Sequence, residues 1–393
     1  MTIRKLASGF FLVALAVRLG ALLAYGVAAI FPDAVEYLTL AKNLVDSHTF
    51  GMVAGIPTAF RPPLYPFLIA MLWRGDAAPL IPLGILQALL GAGTVMLLYH
   101  IAHREFGRRL AIWTAALAAI HPFAAVYTAR VMTETLLTFF VVVGVYFWGT
   151  RRSALAGIAF GLAALTHSVV LFFVVSLPFL ALVPAFRRRL RSHLILAAAC
   201  FAVVSPWTLR NAVVMHRFTL IADAGWRSNL FFGTIDVPLF TGNPWPVALA
   251  DADRQKGSAQ DSAGEAILGE RALERIGTAP LHWLAVRAKG YPRLFYDTGE
   301  YLDLGDQSLN NIRKWTFCLL DFALIALAMT GCWLRRDRLT RCPHLWTFPA
   351  FILLAHLPMW TEARRLLPAI PCLIALAVAG MEAIAARRAK LGT

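Results

Sequence analysis

Long apolar runs, punctuated by short clusters of arginine, constrain this chain more than any other feature. The runs fall at about 8–30, 79–102, 110–127, 134–149, 153–166, 169–184, 194–209, 315–334, 344–360 and 366–386. A run of about 20 apolar residues spans the hydrocarbon core of a bilayer as a helix. Lipid offers the backbone no hydrogen bonds, so a spanning segment must satisfy its own N–H and C=O groups. Nearly everything outside two polar segments is apolar in this way. Only 15% of the residues are charged and the mean hydropathy is +0.64, against about 25% charged in soluble domains. These features predict an all-α polytopic membrane protein, a helical bundle of about ten spans with external juxtamembrane helices.

The basic clusters orient the weave. They are Arg4-Lys5, His103-Arg104 with Arg108-Arg109, Arg151-Arg152, Arg187–Arg191, Arg335-Arg336 with Arg338 and Arg341, and the tail Arg387-Arg388-Ala389-Lys390. With ten spans every cluster falls on one side, as expected of cytoplasmic loops, and both termini are cytoplasmic. The same clustering explains the net charge of +15. No basic stripe with interleaved aromatics lies on a polar domain, which argues against nucleic-acid binding. The first run, extending to Ile30, exceeds a signal-peptide core, so it is read as an uncleaved anchor. The five cysteines are odd in number and mostly lie in or beside apolar runs; they are read as buried free thiols rather than a disulfide framework.

Two polar segments remain, and both are external by parity. Residues 31–78 hold two expected surface helices, 34–46 and 63–73, around a turn region with Gly51, Gly55 and Pro57. Residues 210–310 hold the turn-rich Gly242-Asn243-Pro244, an expected helix 262–277, and an amphipathic piece 280–296 suited to the headgroup level. Spans eight to ten and the tail follow, over 311–393.

On the external face this weave collects Asp33, Glu36, Arg61, Arg130, Glu134, His167, Arg210, Glu362, Arg364 and Arg365. Arginine offers permanently charged planar donors that match phosphate oxygens. A carboxylate near a hydroxyl can take its proton. Such a mixture at the mouth of a bundle suits a phosphorylated substrate and an acid/base step. Local alternatives exist for each residue. Asp33 would sit at the N-cap of helix 34–46, with Glu36 as the reciprocal acid of a capping box. Arg61, held on a stiff corner by Pro62-Pro63, could instead reach to lipid headgroups. Glu134 at a helix start is favoured by the helix dipole. Arg18, halfway along the first span, is expected to face the bundle as a structural residue. The histidines form no metal-binding pattern.

The order of these residues resembles a known family. A span followed by Asp33, Glu36-Tyr37 and A-K-N-L, then R-P-P-L-Y-P at 61–66, is similar to the first external loop of GT-C glycosyltransferases. The likeness is to glycosyltransferase family 39, the protein O-mannosyltransferases, and to bacterial aminoarabinose transferases. M-T-E-T-L-L at 132–137, S-P-W-T-L-R-N at 205–211 and R-R-L-L-P-A-I-P at 364–371 agree in order. The resemblance implies a seven-span module over 1–209 with its catalytic loop at 31–78, and a sugar on a polyprenyl phosphate as donor. An acceptor hydroxyl, on protein, lipid or glycan, would displace the lipid phosphate with inversion at the external face of the plasma (inner) membrane. It implies Asp33 as general base, Glu134 and Glu36 as assisting acids, and Arg61, Arg364 and Arg365 at the donor phosphate. Ala34 stands where many members carry glutamate. Phe60 stands where aminoarabinose transferases carry a glutamate proposed as a metal ligand. No metal site or other cofactor is therefore expected. A transporter or flippase for polyprenyl-linked or anionic lipid is the alternative, although no inverted repeat is visible.

Overall fold

The computed structural model describes residues 2–28, 32–223, 225–236, 262–296, 307–336 and 340–391. Among them the architecture is wholly helical, with two isolated bridge pairs and no strand. Helices α1 (Ile3–Tyr25), α4 (Leu80–Phe106), α5 (Arg108–Ile120), α7 (Glu134–Gly149), α8 (Ser153–Thr166), α9 (Val169–Ser176) and α10 (Leu190–Met215) form the first bundle, with α2 (Pro32–Ser47), α3 (Leu64–Leu72) and α6 (Pro122–Tyr127) at one end. Then come α11 (Trp226–Phe232), α12 (Ser262–Thr278), α13 (Pro280–Gly290), α14 (Arg293–Tyr296), α15 (Gln307–Leu334), α16 (Pro343–Ala355) and α17 (Ile370–Leu391). Among the described residues, four helical stretches are long and apolar enough by themselves to cross a membrane: Ile3–Tyr25, Leu80–Phe106, Pro184–Met215 and Ala363–Ala389. Large apolar side chains such as Leu12, Leu23, Ile81 and Leu209 are exposed along these helices, as a lipid-facing surface requires. This is an integral membrane protein.

Several helices depart from the expected runs, for local reasons. The run 110–127 is two helices broken at His121, because Pro122 removes a backbone donor and disfavours helical geometry in the residue before it. The run 169–184 is an α-helix only to Ser176 and continues as 3-10 turns carrying Pro178 and Pro184. The last span is entered by a 3-10 segment, Ala363–Ala369. Helix α2 begins at Pro32, a residue suited to a first helical position. Asp33 therefore lies inside the first turn and not at the cap, and Glu36 is two positions beyond that of a capping-box acid.

Close contacts between helices use small residues, the usual means of packing without a hydrophobic drive between spans. A Cβ on Gly380 of α17 would fall 2.2 Å from the Leu327 carbonyl of α15, so only glycine lets these two helices touch. The main core follows the bundle axis. A second core lies beneath the end where α2 and α3 rest. It joins Tyr37, Tyr65, Leu83, Phe123, Leu136 and Leu367, from six separate stretches. A third, built from Phe231, Leu268, Ala272 and Trp360 among others, docks α11 and α12 beside it. Gly242-Asn243-Pro244 lies outside the described residues.

Candidate active site

Two carboxylates on one turn of helix begin the site. Asp33 and Glu36 are three residues apart on α2, so both project from one face. That face meets Arg61, held in the loop just before α3. Arg61 Nη2 donates to Asp33 Oδ1 at 2.7 Å, and Nε donates to Glu36 Oε2 at 2.6 Å. The Arg61 guanidinium also lies over the rings of Phe60, at 5.1 Å, and Tyr37, at 5.6 Å. Phe60, at the position considered for a metal ligand, is thus the floor beneath a guanidinium.

The other half comes from the far end of the chain. Arg364 Nη1 donates to Asp33 Oδ2 at 2.8 Å, across 331 residues of sequence. Its Nε donates to Glu362 Oε2, and its Nη1 is 3.8 Å from Glu134 Oε1. Asp33 is therefore gripped on both oxygens by two arginines, and Arg364 is shared among three carboxylates. Arg365 points away from this group: its Nη2 donates to Asn229 Oδ1 at 3.0 Å and its Nη1 is 3.5 Å from His167 Nε2. The structure thus gathers Asp33, Glu36, Arg61, Glu134, Glu362 and Arg364, with Arg365 and His167 as a flanking pair. Arg210 lies elsewhere: it donates to the carbonyls of Thr58 and Phe50 and stacks on Trp207 at 4.8 Å. The Arg130 guanidinium lies over Tyr25 at 5.8 Å.

The electrostatics separate the acids. Burial alone would raise the Asp33 carboxyl, but the Arg61 and Arg364 charges outweigh it and hold the group well below the usual carboxylate range. Burial prevails at Glu36 and raises it, with the Asp33 charge adding to the effect. Glu362 resembles Asp33: burial is overcome by Arg364 and Arg365, and its carboxyl is held low. His167 is pushed down to about 3 by burial and by the Arg365 charge beside it, so its imidazole is neutral. One face thus holds an ionised acid with both oxygens occupied and a neighbouring acid whose charge costs more.

Sequence reasoning passed over Gln87. It is fully buried on α4, accepts from the Tyr65 hydroxyl at 3.0 Å and donates to the carbonyls of Thr128 and Arg130 at 3.0 and 2.9 Å. This amide ties the α3 platform to the corner that delivers Glu134. The signal was a lone amide within an apolar helix, which must find partners when buried. Asn229 and Trp360 were also passed over. Trp360 donates its indole N–H to Glu362 Oε1 at 3.2 Å and its backbone N–H to the Asn229 carbonyl at 2.8 Å, placing the turn that carries Arg364.

The profile of the dolichyl-phosphate-mannose-protein mannosyltransferase family matches residues 60–209, which include Arg61 and Glu134 and exclude Asp33, Glu36 and the late arginines. No curated protein matches the chain in sequence. Among solved structures it is similar to the oligosaccharyltransferase AglB of Archaeoglobus fulgidus in complex with an inhibitory peptide and a dolichol-phosphate. There the identity is 14%, the TM-score 0.56, and 95% of this chain and 50% of that one are covered. A complex of the same organism's oligosaccharyltransferase with Zn and sulfate gives 15% identity and a TM-score of 0.54, covering 97% of this chain and 49% of that one. ArnT from Cupriavidus metallidurans bound to undecaprenyl phosphate gives 15% identity and a TM-score of 0.47, covering 95% and 77%. The chain spans about half the length of the oligosaccharyltransferases it matches. It has the GT-C fold.

Proposed function

We propose that this GT-C chain is a membrane glycosyltransferase that moves a sugar from a polyprenyl-phosphate donor to an acceptor hydroxyl, with inversion. The observation that carries this reading is the double grip of Arg61 and Arg364 on Asp33. Two guanidinium groups meeting on one carboxylate are spaced for a group with several anionic oxygens. A lipid phosphate entering from the bilayer edge takes the arginines from Asp33. Its carboxylate, no longer stabilised by them, regains ordinary basicity as the substrate arrives.

The chemistry then balances. The acceptor oxygen attacks the anomeric carbon, the acceptor proton passes to Asp33, and the bond from anomeric carbon to phosphate oxygen breaks on the opposite face. Arg61 and Arg364 receive the charge that develops on the leaving phosphate, an electrostatic role of the kind that dominates such reactions. Arg365 is a further donor within the same turn, and Glu134 and Glu36 help to hold acceptor and loop. These guanidiniums supply the positive charge a divalent ion would otherwise bring, so in this proposal the reaction uses no metal. The partners are a lipid-linked donor and an acceptor on protein, lipid or glycan, at the external face of the plasma (inner) membrane, with both termini cytoplasmic.

Asp33→Asn is the test. In vesicles containing the full chain and a radiolabelled polyprenyl-phosphate sugar, the variant should insert normally and transfer nothing. Full transfer by the variant refutes the base assignment. Lipid movement without glycosylated product, even in the unaltered protein, would instead favour the flippase reading. For the orientation, single cysteines at the exposed positions Asp76 and Arg188 are treated with an impermeant thiol reagent. Only the first should react from outside, and the reverse pattern puts the site on the wrong face.

A further inference from the structure

Beneath the site, between α1, α4, α5, α6, α7 and α17, lies a cavity of about 40 Å³. Its walls are mostly apolar, with Leu98, Leu367 and Ile374 among them, yet Arg18, His121 and Glu134 also line it. All three are buried, at 3%, 6% and 8% exposed. Each has one polar atom with no partner: Arg18 Nε, His121 Nε2 and Glu134 Oε2. Each side chain is also anchored through another of its atoms. Arg18 Nη1 donates to the carbonyls of Ala14 and Ala119 at 3.1 and 3.2 Å. His121 Nδ1 accepts the Ala124 N–H at 3.3 Å, so the neutral ring carries its proton on Nε2. Glu134 Oε1 faces Arg364. The unpartnered atoms are therefore two donors and one acceptor around one space.

The sequence makes this room deliberately. Gly91 of α4 lies against the Arg18 side chain, and a Cβ there would fall 2.4 Å from Arg18 Nε. A charged residue halfway along a span has thus been given a glycine to pass and a cavity to face. Dry cavities are apolar. A polar one holds water when it offers roughly 10–15 Å³ per molecule and two to four hydrogen-bonding partners, and this cavity meets both conditions for about three molecules.

We propose that the cavity holds a water cluster that accepts from Arg18 Nε–H and His121 Nε2–H and donates to Glu134 Oε2, making Arg18 and His121 positioning residues for Glu134. The cluster holds the Glu134 carboxylate from below while Arg364 meets it from above. The link to activity rests on the glycosyltransferase reading; the hydration does not.

The experiment uses the full chain in lipid nanodiscs, with two readouts. In hydroxyl-radical footprinting, trapped water marks the side chains around it. Leu98, Leu367 and Ile374 should be marked in the unaltered protein and lose their marks in Ala118→Leu, whose side chain fills the space. In sugar transfer, Arg18→Met and Ala118→Leu should each lower kcat by about 10- to 100-fold, the scale of a displaced catalytic group. Donor KM should hold in both variants, and Arg18→Lys should recover most of the loss. Absence of marks in the unaltered protein overturns the water cluster. An unchanged kcat in Ala118→Leu overturns the positioning role, and does so even if Arg18→Met fails to insert. Normal marks in a protein that transfers no sugar keep the hydrated cavity and defeat the transferase reading.

Discussion

The contact between Asp33 and Arg364 can be weighed in solution without any assay of activity. At 2.8 Å, two unit charges attract by about 6 kcal/mol at an effective dielectric constant of ~20. Desolvation and competing water reduce this, and hydrogen bonds to charged groups contribute about 1.5–3 kcal/mol net. The Arg364 and Asp33 side chains are 12% and 22% exposed, so solvent screening reduces the figure little, and we expect a coupling of about 2 kcal/mol. A double-mutant cycle measures it: Asp33→Asn, Arg364→Gln and the pair, each unfolded by denaturant in detergent micelles. Arg364→Gln alone should cost more than the coupling, about 3–5 kcal/mol, because Glu362 and Glu134 lose the same countercharge. The pH dependence has a definite sign. The folded-state pKa of Asp33 is depressed, so its contribution is complete above the unfolded value of ~3.9 and is lost only as pH falls through the lower folded value. The coupling should therefore be the same at pH 8 and pH 5. Additivity within about 0.5 kcal/mol, the behaviour of distant sites, would refute the contact, and a coupling that fades between pH 8 and pH 5 would refute its ionic basis.

Other expectations follow from single residues. Arg61→Lys replaces a fork that reaches Asp33 and Glu36 together with a single point charge, and should lower kcat/KM for a polyprenyl-phosphate sugar by about 10²-fold. Gln87→Leu strands the Tyr65 hydroxyl and two loop carbonyls; unfolding curves should show a loss of about 1–3 kcal/mol, as for unsatisfied buried groups. Chelation by EDTA should leave the transfer rate unchanged, and recovery of a lost rate on adding back Mn²⁺ or Mg²⁺ would show that the arginines do not supply all the positive charge.

Much of the fold was legible because a bilayer admits few solutions, and the apolar runs and arginine clusters state them directly. Asp33, Glu36 and Arg61 were legible as a group because one short loop carries all three. Their contacts were not. The capping-box reading failed because Pro32 starts the helix two residues earlier than assumed, which places Asp33 in the helix on the same face as Glu36, where Arg61 meets both. The break at His121-Pro122 was within reach, since the proline announces it. Gln87 announced itself only as a lone amide in an apolar run, without its partners, and the chamber behind Glu134 was beyond reach. Which side of α1, α4 or α5 faces inward depends on how the helices rotate against one another, and nearly uniform apolar spans leave that rotation unmarked. Arg364 and Arg365 were separable only by structure: adjacent in sequence, they leave a 3-10 turn in different directions, one toward Asp33 and the other toward His167 and Asn229.

The 331 residues between Asp33 and Arg364 also set a schedule for biogenesis. A ribosome working at ~5–20 residues per second delivers the second partner roughly 20–60 s after the first. During that interval the nascent loop has Arg61 alone to hold two acids. The Arg364 half of the site arrives just ahead of α17, so a product cut short before it, however many helices it has inserted, cannot complete the pocket. Completion of the centre thus reports that the helices between Asp33 and Arg364 have been threaded into the membrane in the correct order.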